Sequence, residues 1–337
     1  MTRFANEFRL PTPPAAAALL ACALFAGAQP LQAQDSYPSR PVKVVVPYAP
    51  GGATDIIARI VAAKLTESLG QSFLVENRPG ASGNLALEAV AKAPADGYTL
   101  FVGNVSTNTI NETIFAHQLQ IKPSRDLVGV AKLVEIPHII ATTGGFPANS
   151  VADLIALAKK EPGKINYASA SLGSYPHLDM EKLQKAAGIM LTHIPYKGGA
   201  GQMIPAIISG EAPVAFLNLS SALPHIRSGR MKAIATTAPS RLAELPNVPT
   251  MAEQGFPGIG TNAWQGMFAP AATPKPVIDK LYQSVAAVLS NSQMKEQLAK
   301  QMLDVTLSSS PAQFQQLVEK ETREWGDFLR EAKIKIE

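Results

Sequence analysis

The stretch Val42-Lys43-Val44-Val45-Val46, bounded by Pro41 and Pro47, constrains this chain more than any other segment. A β-branched run of that kind reads as a strand buried on both faces of a parallel sheet, since a strand with one wet face would alternate polar and apolar residues. A glycine-rich turn, Pro50-Gly51-Gly52-Ala53, follows at once. Thr54 then stands where a helix N-cap belongs, with Asp55 in the first turn. Ile57, Ile60, Val61, Leu65 and Leu69 recur at helical spacing until Gly70 stops the helix. Strand, tight turn and helix make one unit.

The unit repeats. Further strands are expected over 73–76, 98–102, 165–169, 191–196 and 214–217, and helices over 84–92, 150–160, 177–187 and 203–209, where Ser150 and Asp153 resemble a capping box. Alternation of this sort predicts an α/β fold with mainly parallel sheets flanked by helices. With 337 residues the chain has room for two domains. Two extended apolar segments, 136–143 and 262–269, suit strands that pass between them, which makes the first domain discontinuous: 34–137 with 262–337 form one lobe and 138–261 the other. The tail is expected to be helical over 276–289, 292–302 and 310–333. Phe314, Leu317, Trp325 and Phe328 require its last helix to pack on the first lobe.

Arg3 and Arg9, a small apolar core from Ala15 to Ala28, and Leu31-Gln32-Ala33 have the layout of an export signal over 1–33, cleaved near Ala33. The apolar stretch is shorter than the roughly 20 residues of a membrane span. Cys22, the only cysteine, falls within that signal's apolar core rather than at its end, which speaks against lipidation there. The chain beyond it therefore has neither disulfides nor thiol chemistry. A net charge of +4 without a basic run excludes nucleic acid as an expected partner.

Catalytic and cofactor motifs fail in turn. The five histidines, His117, His138, His177, His193 and His225, lack metal-site spacing, so no metal is expected. Ser169-Ala170-Ser171-Leu172-Gly173-Ser174 is not a nucleophile elbow. The turn at Gly51-Gly52 lacks the lysine of a phosphate loop, and Gly258-Ile259-Gly260 precedes an extended segment where a dinucleotide fingerprint needs a helix. No cofactor is expected. What remains are turns beyond strand ends, where open α/β sheets collect ligands. Gly51, Gly52, Ala53, Thr54 and Asp55 suit a carboxylate held by backbone N–H groups at a helix start, although the same motif fits an ordinary tight turn. The second candidate turn supplies Ser169, Ser171, Gly173, Ser174 and His177, with capping as the competing role for its serines. Asn104 and Ser106 follow a third strand and Asn218 a fourth. Tyr48 stands at a strand end as a candidate pocket wall, while Lys197 reads as a solvated charge.

Several motifs together resemble one family. They are Val46-Pro47-Tyr48-Ala49-Pro50-Gly51-Gly52-Ala53-Thr54-Asp55, Val75-Glu76-Asn77-Arg78-Pro79-Gly80-Ala81-Ser82-Gly83-Asn84, Ala95-Asp96-Gly97-Tyr98-Thr99-Leu100, Ile165-Asn166-Tyr167-Ala168-Ser169, His193-Ile194-Pro195-Tyr196-Lys197-Gly198-Gly199 and Leu245-Pro246-Asn247-Val248-Pro249. The chain is similar over nearly its whole length to the extracytoplasmic solute receptors of tripartite tricarboxylate transporters, the Bordetella uptake gene family. That resemblance implies a two-lobed clamshell of the type II periplasmic-binding kind, a monomer that closes on a small carboxylate and delivers it to a two-subunit membrane permease without turnover. It implies that 51–55 hold one carboxylate through backbone groups and waters, that 169–174 serve from the facing lobe, and that variation at Leu172 and Tyr175 leaves the ligand open. A di- or tricarboxylate, an aromatic carboxylate and an amino acid all fit. A ligand-presenting sensor accessory has the same sequence features, and neighbouring genes for a permease or a histidine kinase separate the two. An exported α/β hydrolase would reveal itself by ester turnover.

Overall fold

The computed structural model describes residues 1–2 and 37–332. The expected export signal, with Cys22 and the cleavage point near Ala33, lies outside the described residues apart from its first two. From Pro38 onward the chain forms one compact unit.

β1 (Val42–Val46), α1 (Ala53–Leu69), β2 (Phe73–Asn77), α2 (Asn84–Ala91) and β3 (Thr99–Asn104) come first. A π-helical turn, Ser106–Ile110, and two single-turn helices, α3 (Asn111–Ile114) and α4 (Pro123–Asp126), lead to β4 (Leu127–Ile136). Pro137 alone separates β4 from β5 (His138–Thr143). Then follow α5 (Val151–Lys160), β6 (Asn166–Ser169), α6 (Tyr175–Ala187), β7 (Thr192–Pro195), α7 (Ala200–Ser209), β8 (Val214–Asn218), α8 (Leu219–Arg227) and β9 (Met231–Thr236). The chain ends with β10 (Ala263–Pro270), α9 (Lys275–Ser290), α10 (Ser292–Ala299), β11 (Asp304–Val305) and α11 (Pro311–Ala332).

These strands form two sheets, ordered β11-β4-β10-β3-β1-β2 and β7-β6-β8-β5-β9. β1 is parallel to both β2 and β3, as its buried valines require, and its one exposed residue, Lys43, pairs with Glu76 at 2.7 Å. The α/β class holds, but the sheets are mixed rather than mainly parallel. β10 runs antiparallel to β3 and β4, and β5 runs antiparallel to β8 and β9. The cause is the route of the chain. It leaves the first sheet through β4, enters the second through β5, and comes back through β10 in the direction opposite to β3.

The segment expected as one strand over 136–143 is thus divided by Pro137, whose missing N–H ends the β4 ladder. β4 and β9 were not expected as strands. In β4, Gly129, Lys132 and Glu135 interrupt the apolar pattern, and the Lys132–Glu135 ion pair keeps those charges compatible with a covered strand. Thr54 does not cap α1, which begins one residue earlier with Gly52 at the N-cap.

The first core gathers Phe101, Trp264, Phe268 and Phe314, with the Trp264 and Phe314 rings edge to face at 5.3 Å. Phe314 is fully buried while Leu317, Trp325 and Phe328 are partly so, which docks α11 on this sheet as anticipated. Two further cores line the second sheet, one around Met203, Ile207 and Leu217 and the other around Tyr167, Met180 and Phe216.

Candidate functional site

Strand ends from both sheets meet at a small cavity of about 30 Å³, lined by Tyr48, Gly52, Ala53, Thr54, Asn104, Ala170, Tyr175, Gly199, Ala200 and Asn218. Six of the residues singled out from the sequence line it: Tyr48, Gly52, Ala53, Thr54, Asn104 and Asn218. Among the described residues no Lys or Arg lines it, and both Lys197 and Arg78 are exposed.

Four helices start here. Gly52 precedes α1, Ser174 precedes α6, Gly199 precedes α7 and Asn218 precedes α8, and at none of the four does the N-cap side chain accept a hydrogen bond from the helix. Away from the cavity the pattern is mixed: Ser150 accepts from Asp153 N on α5 and Asn291 accepts from Met294 N on α10, while α2 and α9 start at Gly83 and Pro274 without a side-chain cap. The first N–H groups of a helix need partners, and together with the helix dipole they attract negative charge. The first N–H groups of α6 and α8 already have acceptors, Ser106 Oγ for Tyr175 and Pro137 O for Leu219, but the dipoles of all four helices still point their positive ends at the cavity without a formal cation.

Side chains in the cavity wall are neutral and fixed. Asn104 Oδ1 accepts from Tyr48 Oη at 3.2 Å and from the N–H groups of Ser106 and Thr107. With its oxygen committed, the amide is oriented, and its NH2 group has no protein partner among the described residues. Burial pushes the Tyr48 phenol up to about 12, so it stays protonated and donates. Thr54 Oγ1 donates to Gln265 Oε1 at 2.6 Å, tying α1 to β10. Tyr175, which the sequence reading left undecided, enters the cavity from α6. Its phenol lies 3.0 Å from His138 Nε2 and 3.3 Å from Asn218 Oδ1, and its backbone N–H donates to Ser106 Oγ at 3.1 Å. Burial holds His138 down at about 4, so its ring is neutral; Nδ1 faces Thr261 O at 2.5 Å and leaves Nε2 to accept the tyrosine proton.

Gly51 and Asp55 support the turn from outside the cavity. Asp55 Oδ2 accepts from Gly51 N at 3.0 Å, while Oδ1 accepts from Arg59 Nε at 3.0 Å and Asn77 Nδ2 at 2.9 Å. The second turn is arranged differently from expectation, with its hydroxyls bonded internally. Ser169 Oγ donates to Ser171 O at 2.8 Å, and Ser174 Oγ donates to the same oxygen at 2.8 Å, so Ser174 occupies the N-cap position without capping. Gly173 N donates to His177 Nδ1 at 3.0 Å, and the His177 ring stacks on His193 with centroids 4.0 Å apart. None of Ser169, Ser171, Gly173, Ser174 and His177 lines the cavity. His193 Nε2 lies 2.6 Å from Ser169 Oγ, but that hydroxyl is fully buried and its proton already has an acceptor in Ser171 O. The pair is a part-buried hydrogen bond in which Ser169 Oγ accepts from the ring, not an accessible nucleophile and base.

Ala170, Tyr175, Gly199 and Ala200 are the lining residues that sequence reasoning did not select. The Gly198-Gly199 pair ahead of α7 carries the same signal as Gly51-Gly52 ahead of α1, and Gly199 has φ of +67°, a conformation that favours glycine. Across the cavity, Ala49 N donates to Gly198 O at 3.0 Å. Among the described residues no group of three His, Cys, Asp or Glu side chains is placed to hold a metal ion, and no helix is long and apolar enough to cross a membrane.

Several known proteins resemble this chain over most of its length. Protein BugT of Bordetella pertussis is 34% identical over 302 residues, covering 90% of this chain and 92% of BugT. MatC from Rhodopseudomonas palustris, solved with bound malate, superposes with a TM-score of 0.81 at 33% identity, covering 86% of this chain and 99% of MatC. A second R. palustris protein, Rpa4515 solved with adipate, gives 0.83 at 34% identity over 87% of this chain and 97% of its own. The family model described as "Tripartite tricarboxylate transporter family receptor" matches residues 57–334, so the chain belongs to that family of solute-binding receptors.

Proposed function

We propose that this protein captures a small dicarboxylate between two lobes, 34–137 with 262–337 and 138–261, outside the cytoplasmic membrane, and delivers it as a monomer to a two-subunit permease without altering it. The observation that carries this reading is the convergence of four uncapped helix starts on a cavity lined by no Lys or Arg. An anion fits that field, and a ligand charged at both ends suits helix starts contributed from both sheets. Malate in MatC and adipate in Rpa4515 support the dicarboxylate class.

A volume of about 30 Å³ matches the space of roughly one water molecule, far less than a dicarboxylate needs. Capture then proceeds from a more open form that closes around its guest, the ligand shifting the equilibrium by binding the closed arrangement better. The test is a calorimetric and thermal-shift series of mono-, di- and tricarboxylates. A dicarboxylate that raises the melting temperature and binds saturably is the expected result, and no response to any of them defeats the reading. Asn104→Asp places a carboxylate where the neutral amide stood, and is expected to weaken binding by about 100-fold or more through like-charge repulsion in a cavity with no cation to offset it. Unchanged affinity in that variant would move the anion elsewhere.

A further inference from the structure

Gly201 lies inside α7, where glycine is among the poorest helix formers, so its presence answers to something other than the helix. A Cβ at Gly201 would lie 2.4 Å from Pro50 O and 3.3 Å from Ala49 Cβ. Both atoms belong to the turn after β1, on the opposite side of the cavity. The obstacle is a main-chain carbonyl, which cannot rotate aside as a flexible side chain does. The two turns also meet on either side of this point: Ala49 N donates to Gly198 O at 3.0 Å, and a Cβ at Gly52 would lie in ordinary contact with Ala200 Cβ at 3.5 Å. Gly201 itself does not line the cavity, and its φ is not in the left-handed region, so alanine is compatible with α7 taken alone.

We propose that Gly201 is the steric gate of closure: its missing side chain lets the 198–201 turn seat on the Ala49-Pro50 turn, and a methyl group there holds the cleft ajar. Gly201 is a positioning residue, acting on the ligand only through the closed arrangement. This inference rests on the closing receptor proposed above, and its test separates the two.

Gly201→Ala is compared with the parent chain in three measurements. Affinity for a dicarboxylate is expected to fall roughly tenfold or more, because apparent affinity scales with the fraction of molecules able to close. The ligand-free melting temperature is expected to stay level or rise, since alanine improves the helix. Closure is read without ligand by oxidative cross-linking of Gly52→Cys with Ala200→Cys in a Cys22→Ser background, the 3.5 Å spacing being within disulfide reach only when the turns are together. Adding Gly201→Ala is expected to slow that cross-link severalfold. Equal cross-linking in the two backgrounds overturns the gate whatever the affinity does, and so does a lowered ligand-free melting temperature, which would mean that the clash damages the fold itself. Unchanged affinity in a parent that does bind overturns it too. If the parent binds no carboxylate, the functional reading fails while the cross-linking comparison still decides the gate.

Discussion

Asp55 is a carboxylate beside the cavity proposed to hold an anion, and its three bonds would keep it from repelling such a guest. Both oxygens are turned away, onto Gly51 N, Arg59 and Asn77. Burial pushes its carboxyl up, but hydrogen bonds from Arg59, Gly51 and Asn77 and the charge of Arg59 outweigh burial and hold it below the usual carboxylate range. A depressed acid stabilises the fold above its unfolded pKa of about 4, and that contribution disappears as pH falls through the folded value. Asp55→Ala leaves Gly51 N without its acceptor and Asn77 Nδ2 with Tyr48 O alone, and is expected to cost about 2 kcal/mol in urea unfolding at pH 7 and to weaken dicarboxylate binding as the turn loosens. If the variant melts like the parent and binds normally, Asp55 has no ordering role.

At the scale of elements, α5 and α10, which carry a side-chain cap, contribute nothing to the cavity, although α2 and α9 start uncapped away from it as well. Ser150 caps α5 through Asp153 N at 3.0 Å, while Asp153 reaches back to Asn149 N at 2.9 Å. Ser150→Ala should therefore cost about 1 kcal/mol in urea unfolding and leave dicarboxylate affinity unchanged, α5 being remote from the cavity. A loss of affinity would connect α5 to the site. The β1–turn–α1 unit was legible because a buried parallel strand, a Gly-Gly turn and helical spacing are all local signals. β4 was not, because Lys132 and Glu135 break its apolar run and only their pairing makes the strand tolerable. The site divides in the same manner. Gly52 and Ala53 follow from the turn motif, whereas Tyr175 enters the cavity through contacts with His138, Asn218 and Ser106, which lie 37, 43 and 69 residues away in sequence. The serines of the second turn have the right composition for polar contacts, yet their hydroxyls are used within the turn, which only the folded geometry reveals.

For the molecule as a whole, stability should depend on pH through three neutral histidines. Burial lowers His138 and His177 to about 4 each, and burial with the neighbouring His177 lowers His193 to about 3. Below their unfolded pKa of about 6.5 the unfolded chain takes up protons that the folded one refuses, so stability falls as pH drops from there toward 4. Asp179 acts in the opposite sense. Burial raises its carboxyl to about 6, so between about pH 4 and 6 the folded state holds a proton that the unfolded state has lost. Three groups outweigh one, and a net loss on the order of 3 kcal/mol between pH 6.5 and 4.5 is expected from urea midpoints, with Asp179→Asn making the fall steeper. A flat profile would mean that the histidines carry charge in the folded protein. The partition of the helix starts at the cavity has a consequence for release. α1 follows a strand of the first sheet, while α6, α7 and α8 follow strands of the second. If the proposed receptor is pried apart by a permease, the attractive field itself would be split, and the cargo could depart without a proton or counter-ion being exchanged for it.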